Sequence, residues 1–164
     1  MNDAVIRQKL EAAGAYLTEH PEEARYTDSL ATARVVEGLR VVVEGPEGAR
    51  VETDFPSSVG GSSAAPAPGW LFRAAMASCV LSLIVMRGAT EGLDVSGIEV
   101  DVDSESDDRG ILGLEPSVPA GPLSVLVRVR GASDAVRPAV EWAFAHCPVS
   151  EGAARAVPVK LSFE

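Results

Sequence analysis

The two cysteines, Cys79 and Cys147, have the clearest potential for chemistry in this sequence, and they lie 68 positions apart. A thiolate is a strong nucleophile, and two thiols that meet can close a disulfide. In a reducing compartment we do not expect a structural disulfide, and two cysteines without further His or Cys ligands do not make a zinc site. Free cysteine is also among the most buried residue types, so two inert core thiols are the competing interpretation.

Composition and the remaining polar clusters exclude several classes of function. The net charge of −10 lacks the basic excess typical of nucleic-acid binders. The segment 56–68 is rich in glycine and serine, but it has no Gly-Lys-Ser/Thr and so is not a phosphate-binding loop. The Asp107-Asp108 cluster lacks the ligand spacing of an EF-hand. We therefore predict no cofactor and no metal, and no nucleic-acid partner.

Cys79 lies in the middle of a long apolar stretch that predicts a helix from Pro68 to Met86, fading through Glu91 and ending at Gly92. Apolar residues occur on every side of this helix, which is typical of a helix buried in protein or spanning a membrane. The 17 residues from Trp70 to Met86 are at the short limit for a span and include Arg73. We predict a central helix covered by protein and not by a membrane. A chain of 164 residues can scarcely cover it alone, which suggests a partner subunit.

Cys147 ends a second predicted helix, from about Ser133 to His146, and lies on its apolar stripe. Pro148 breaks this helix, and one further short helical turn follows. Backbone amides at that turn could lower the pKa of the Cys147 thiol. Because both cysteines lie on apolar helix faces that must pack on the same sheet, they are candidate neighbours.

Strand patterns surround these helices and give the order β-β-β-α-β-β-α-β, a two-layer α+β domain. Three strands precede the central helix between Leu30 and Phe55, and Ile98–Asp103 and Leu123–Arg130 follow it. The arginines of the strand Leu123–Arg130 are expected to lie opposite Glu99 and Asp101. A last strand is predicted from Val157 to Phe163. Residues 1–28 form an N-terminal helical extension, and residues 29–164 form the main domain. The N-terminus has no apolar signal core, which predicts a cytoplasmic protein.

Two motifs resemble the OsmC/Ohr family of osmotically induced and organic hydroperoxide resistance proteins. They are the segment Pro-Gly-Trp-Leu-Phe-Arg-Ala-Ala-Met-Ala-Ser-Cys79 and, some seventy residues later, His-Cys147-Pro-Val-Ser. The resemblance covers roughly residues 30–164. It implies an OsmC-like fold, with a sheet packed on two central helices in an intertwined homodimer.

The resemblance also implies thiol peroxidase chemistry in defence against oxidative stress. Cys79 would attack an organic hydroperoxide and become a sulfenic acid, Cys147 would resolve it as a disulfide, and a dithiol reductant would restore both thiols. The family's activating arginine comes from the first hairpin, where Arg34 is the preferred candidate and Arg40 the other. The alternative is a weak or inactive dimer that binds a small hydrophobic ligand at its interface.

One departure from the family pattern bears on activity. The family typically has a glutamate ten residues before the first cysteine, directly after a proline, where it helps to hold the arginine. The proline matches Pro68, but the next residue here is Gly69. Glu37, Glu44 and Glu52 are the candidate replacements, and the spacing favours none of them. Without its carboxylate partner the arginine would activate Cys79 less well, and the chemistry would be slower.

Overall fold

A computed structural model describes residues 3–155 and 157–163 of the chain. It consists of helices and two small antiparallel sheets, which confirms the predicted α+β class. The chain divides into two compact units. One comprises Met1–Ala12 and Arg73–Glu164, and the other comprises Ala13–Phe72. Below, these are called the thiol unit and the hairpin unit, after the cysteines and the first hairpin that they contain. The predicted division at residue 28 stays a prediction.

The hairpin unit contains a three-stranded sheet in the order β1-β2-β3. Its strands are β1 (Thr32–Glu37), β2 (Arg40–Glu44) and β3 (Arg50–Thr53). Runs of β-branched residues form the strands, and Gly38, with a φ of +55°, allows the tight turn between the first two. The predicted meander of three strands is therefore confirmed.

Hydrogen bonds to a buried carboxylate hold the segment that follows β3 in place. Asp54 is 2% exposed and accepts hydrogen bonds from the amides of Phe55, Ser62 and Ala64 and from the Ser62 hydroxyl. These bonds hold the pKa of Asp54 low, at about 2. Gly61 is required in this turn, because a Cβ atom there would lie 1.8 Å from the Phe55 carbonyl oxygen. The small residues of 56–68 thus form an ordered turn.

The long helix α2 (Pro68–Glu91) has the predicted bounds, and Gly92 follows it with a φ of +70°. Its buried residues are Met76, Val80, Ile84, Gly88 and Ala89. The buried stripe thus runs through Val80 and Ile84, and Cys79 lies half-buried at its border. The N-terminal helix α1 (Asp3–Glu19) contributes Arg7, whose Nε donates to the Ala89 carbonyl oxygen at 2.8 Å near the end of α2.

The thiol unit also contains the two-stranded sheet of β4 (Glu99–Glu105) and β5 (Ser124–Arg130), with the short helix α3 (Asp108–Ile111) between them. Glu99 pairs with Arg130 and Asp101 with Arg128 in the register of the strands, as predicted. Along β5 half-buried valines alternate with exposed side chains. Helices α4 (Arg137–Ala145) and α5 (Pro148–Ala154) follow; α4 begins four residues later than predicted.

The predicted last strand is wrong for the single chain. Residues 157–163 form no strand among the described residues, and all seven side chains are exposed. Val159, Leu161 and Phe163 are 93%, 83% and 91% exposed. A strand needs a neighbour to accept and donate its backbone hydrogen bonds, and the described part of the chain supplies none to this segment.

Candidate functional site

Cys79 is placed by α2, one turn after the buried Met76 and one residue before the buried Val80. Strong helix formers on both sides of it make the local helix robust. Its side chain is half-buried, and its sulfur is free. The helix therefore holds the Cys79 thiol at the edge of the core, with partial access to solvent.

Cys147 is fully buried and is the N-terminal cap of α5. Pro148 takes the first position of the helix, where its missing amide hydrogen would have had no partner in the helix. The sulfur of Cys147 accepts a hydrogen bond from the Ser150 amide at 3.4 Å. The Ser150 hydroxyl donates to the Cys147 carbonyl oxygen, also at 3.4 Å.

The two free thiols contact each other. A hydrogen bond between Cys79 and Cys147 is one of the interactions that set both of their pKa values. The structure thus brings together the two residues that the sequence singled out, from helices far apart in the chain. Neither cysteine is in a disulfide, so the pair is in its dithiol form.

The surroundings move the two pKa values in opposite directions. Burial raises the pKa of Cys79, and the hydrogen bond with Cys147 raises it further, against a lowering contact from the Val149 amide. Burial also raises the pKa of Cys147, but hydrogen bonds from the Ser150 hydroxyl and amide, from Cys79 and from the Val149 amide outweigh it. The net pKa of Cys147 is lowered. Within one chain, Cys147 therefore carries the negative charge more readily than Cys79 does.

The basic side chains that lie nearest in sequence to the two cysteines contact other groups. Arg73 donates to the Ser104 hydroxyl at 3.2 Å. Arg87 pairs with Glu91 at 2.5 Å and lies 4.9 Å from the centre of the Trp142 ring. His146, which precedes Cys147, stacks on Trp142 with ring centroids 4.3 Å apart. These contacts account for the basic side chains nearest in sequence to the two cysteines.

Arg34 and Arg40 lie in the hairpin unit, on β1 and β2, where each has a carboxylate partner. Arg34 Nη2 lies 2.6 Å from Glu44 Oε2. Arg40 contacts Glu52 Oε2 through Nε at 2.9 Å and through Nη2 at 2.5 Å. This contact lowers the pKa of Glu52 and raises that of Arg40. The sheet of the hairpin unit therefore supplies each arginine candidate with a carboxylate, Glu44 on β2 for Arg34 and Glu52 on β3 for Arg40, and Glu52 also pairs with Arg50. The role of Arg34 stays a prediction.

An apolar cavity of about 190 Å³ lies within the thiol unit. It is bounded by α2, β5, α4 and α5, and its lining is Met76, Val125, Val127, Phe144, Ser150, Ala153 and Ala154. Met76 lies one turn before Cys79, and Ser150 contacts Cys147. Since an apolar cavity of about 150 Å³ can hold a benzene molecule, this one has room for a small organic group.

The sequence matches the model of the OsmC-like protein family over residues 60–162, which include both cysteines and the elements that hold them. The chain belongs to the OsmC family. Comparison of the sequence with curated proteins gave no significant match.

Solved structures with the same fold include proteins from several bacteria. An OsmC-like protein from Mycoplasma pneumoniae is 11% identical, with a TM-score of 0.66, and the match covers 80% of this chain and 91% of that one. The organic hydroperoxide resistance protein OsmC from Legionella pneumophila is 20% identical, with a TM-score of 0.61, over 80% and 92% of the two chains. The organic hydroperoxide resistance protein OhrB of Bacillus subtilis is 19% identical, with a TM-score of 0.51, over 79% and 92%. At these identities the likeness establishes the fold.

Two further features of this OsmC-family chain bear on what it can bind. Helix α2 is long and apolar enough to cross a membrane, with a mean hydropathy of 1.7, and 17% of that stretch is buried within the described chain. A core helix of a soluble protein can pass the same test. His20, Glu22 and Glu23 place ligand atoms within 4.8 Å of one another at the surface of the hairpin unit. Such exposed acidic groups are common without a metal ion.

Sequence reasoning missed Ser150 and the cavity. Ser150 follows Cys147 by three residues, which is the spacing between the first and last residues of a capping box, and this pattern could have identified it. The cavity could not have been found in this way, because its walls come from four elements whose packing no local pattern fixes.

Proposed function

We propose that this OsmC-family protein is a thiol peroxidase that reduces organic hydroperoxides and contributes to oxidative-stress defence. The observation that carries the proposal is the contact between the Cys79 and Cys147 thiols in a shared, largely apolar site. Cys79 attacks the terminal peroxide oxygen as a thiolate. The sulfur–oxygen bond forms as the oxygen–oxygen bond breaks, and the leaving alkoxide takes up a proton and departs as an alcohol.

Cys147 then resolves the oxidised Cys79. Its thiolate attacks the sulfenic sulfur, the disulfide forms, and hydroxide leaves and is protonated to water. A dithiol reductant returns the bridge to two thiols by exchange. The contact already made by the reduced thiols supports this step, because little movement is needed to bring the two sulfurs to bonding distance.

The first step requires Cys79 to lose its proton, and burial opposes this loss. A positive group is therefore needed beside Cys79 in the active assembly, since an adjacent cation favours the thiolate. We assign this role to Arg34 of the first hairpin, with Arg40 as the second candidate. Each already has a carboxylate to orient it, Glu44 for Arg34 and Glu52 for Arg40, which can compensate for Gly69.

The cavity supports organic hydroperoxides, rather than hydrogen peroxide, as substrates. Its lining is apolar except for Ser150. The lining includes Met76, one turn before Cys79 on α2, and Ser150, which contacts Cys147. Transfer of an alkyl group into it would contribute about 0.8 kcal/mol for each buried methylene. Hydrogen peroxide has no group to place there.

We propose further that the active form is an intertwined homodimer in the cytoplasm, without nucleic-acid or membrane partners. The incompletely buried apolar surface of α2 and residues 157–163, which have no strand partner in the described chain, support this proposal, because both would be covered by a second copy. Sedimentation equilibrium without detergent tests it. A dimer is expected, and a protein that dissolves only with detergent would contradict it.

A second candidate function is binding of a small hydrophobic ligand by a catalytically weak dimer. The raised pKa of Cys79 and the glycine at position 69 favour this alternative. The same cavity would be the binding site.

One experiment separates the two functions. Fully reduced protein is mixed with cumene hydroperoxide, and peroxide loss is followed together with intact mass. The peroxidase predicts rapid consumption, a mass decrease of two hydrogens and a Cys79–Cys147 disulfide peptide after digestion. Slow consumption with both thiols still free would contradict the peroxidase and favour the ligand-binding alternative.

A further inference from the structure

The turn Cys147-Pro148-Val149-Ser150 is closed by two hydrogen bonds that Ser150 donates to Cys147. The Ser150 amide donates to the Cys147 sulfur, and the Ser150 hydroxyl donates to the Cys147 carbonyl oxygen. In an ordinary capping box a serine or threonine caps the helix and a longer polar side chain reaches back to it. Here the cap is a cysteine, so the group held in place by the turn is a nucleophile.

We propose that Ser150 is a positioning residue that orients Cys147 as the resolving nucleophile, so that it sets the rate of disulfide closure and not the rate of peroxide attack. This inference rests on the proposed function and deepens it. It concerns the second step alone, in which the sulfur–sulfur bond forms, the sulfur–oxygen bond of the Cys79 sulfenic acid breaks, and hydroxide leaves.

Burial gives the Ser150 hydroxyl its importance. Ser150 is 8% exposed and Cys147 is fully buried, so water is largely excluded from the sulfur. Ser150 is also the polar residue in the lining of an otherwise apolar cavity. A thiolate in such a place needs hydrogen-bond donors from the protein, because burial without them favours the neutral thiol. The amides of Ser150 and Val149 are donors of this kind, and the Ser150 hydroxyl holds the turn that presents them through its bond to the Cys147 carbonyl oxygen.

The same geometry predicts that attack on hydrogen peroxide, which does not use the cavity, does not need Ser150. The two thiols share a hydrogen bond. A change that raises the pKa of Cys147 therefore leaves the thiolate of Cys79 equally or more populated. Removal of the hydroxyl should therefore slow closure and leave the first step unchanged or slightly faster. A purely structural role would instead slow both steps together.

The first test measures Cys147 without any peroxide. In a Cys79→Ser background, Cys147 is the only thiol, and its thiolate is titrated by absorbance at 240 nm and by iodoacetamide alkylation. Ser150→Ala should move the titration to higher pH, and Ser150→Thr, which keeps a hydroxyl, should restore it. Ser117→Ala, in an exposed loop, is the matched control. An unchanged titration in folded Ser150→Ala protein would overturn the proposal.

The second test separates the two steps in protein with both cysteines. After one equivalent of hydrogen peroxide, which has no group to place in the cavity that Ser150 lines, sulfenic acid is trapped with dimedone at timed intervals and disulfide is measured by mass. In Ser150→Ala we expect unchanged consumption of hydrogen peroxide in the first turnover and closure slowed by up to about tenfold, which is the effect expected for the loss of one hydrogen bond. Equal slowing of both steps, or no change in closure, would refute the proposal.

The two tests also distinguish this inference from the proposed function. If the natural protein forms no sulfenic acid at Cys79, the peroxidase is wrong. The titration of Cys147 still decides whether Ser150 holds its thiolate. If Ser150→Ala fails to fold, as judged by circular dichroism, Ser150→Thr and Ser150→Gly take its place, since the glycine variant also removes the hydroxyl.

Discussion

Ala153→Leu tests whether the cavity selects the substrate. Ala153 lines the cavity from α5 and is exposed, so leucine, a strong helix former, can be accommodated in the helix. Its three additional carbon atoms would occupy space that an alkyl group of the substrate needs. We expect the variant to lose activity toward tert-butyl hydroperoxide and to keep its activity toward hydrogen peroxide.

The size of the effect follows from the area that the substrate buries. Four apolar carbons at about 0.8 kcal/mol each give an upper limit of about 3 kcal/mol, or about 200-fold in the ratio of kcat/KM values for the two peroxides. The cavity volume of about 190 Å³ is about six times the volume of a water molecule, so the tert-butyl group fits. Because the lining residues Ala153 and Phe144 are themselves exposed, burial is partial, and we expect a ratio nearer to tenfold to fiftyfold for the natural protein.

The assay is steady-state peroxide consumption with dithiothreitol as reductant, with each peroxide in turn. Ala153→Leu should bring the selectivity ratio close to one while kcat/KM for hydrogen peroxide changes less than twofold. Ala12→Leu, on the exposed surface of α1, is the matched control and should leave both rates unchanged. A ratio that stays the same in Ala153→Leu, or equal loss with both peroxides, would refute the role of the cavity.

Three further predictions follow from the site and its supports. Cys79→Ser should abolish peroxide consumption, whereas Cys147→Ser should still form a Cys79 sulfenic acid that dimedone traps; equal loss of trapping in both would contradict the assigned roles. Gly69→Glu should raise kcat/KM for cumene hydroperoxide and stabilise the start of α2 by about 0.5 kcal/mol, because a negative charge there complements the helix dipole; a slower or less stable variant would count against it. Asp54→Asn should lower the melting temperature at pH 7, and the difference should shrink as the pH falls from 4 toward 2. The reason is that the folded-state pKa of Asp54 is about 2, below its unfolded value of about 3.9, so its contribution to stability is present above pH 4 and is lost on acidification. A difference that persists at pH 2 would refute this account.

Local sequence patterns predicted the elements whose ends are set by residues within or next to them. Pro68 begins α2 and Gly92 follows its end, as the sequence indicated, because both residues act on the backbone around them. The pairing of Glu99 with Arg130 was also predictable, since two alternating strands with opposite charges have one favourable register. The turn after Cys147 followed from Pro148 in the same way.

The predictions that failed depended on packing beyond the local segment. On α2 every face is apolar, so periodicity could not show which residues the chain buries; Val80 and Ile84 are among them. The alternation from Val157 to Phe163 is typical of a strand, but a strand also needs a partner, and local sequence cannot name one. By contrast, the lowered pKa of Cys147 agrees with the amides expected at the turn after Pro148, and only the part of the Ser150 side chain was not foreseen.

Covering the incompletely buried apolar surface of α2 would also change the pKa of the Cys79 thiol, because Cys79 lies on that helix. Cys79 is half-buried in the single chain, on a helix that a second copy would cover. Apolar cover alone would remove water from Cys79 and raise the pKa of its thiol further, because burial disfavours the charged form. Assembly can therefore speed peroxide attack only if the covering surface also brings a cation, and it slows the attack otherwise.

An arginine that already has a carboxylate partner is suited to this task, because the guanidinium keeps its charge when water is removed and the carboxylate fixes its orientation. Arg34 with Glu44 and Arg40 with Glu52 are two such pairs in the three-stranded sheet. Activation of Cys79 and assembly of the homodimer are thus coupled in this proposal. Evidence against either of them would count against the other. The turn that joins Cys147 to Ser150 is different, because all of its contacts lie within one chain. We therefore expect the resolving thiol to be prepared in every folded copy, whereas the attacking thiol becomes competent only in the assembled protein.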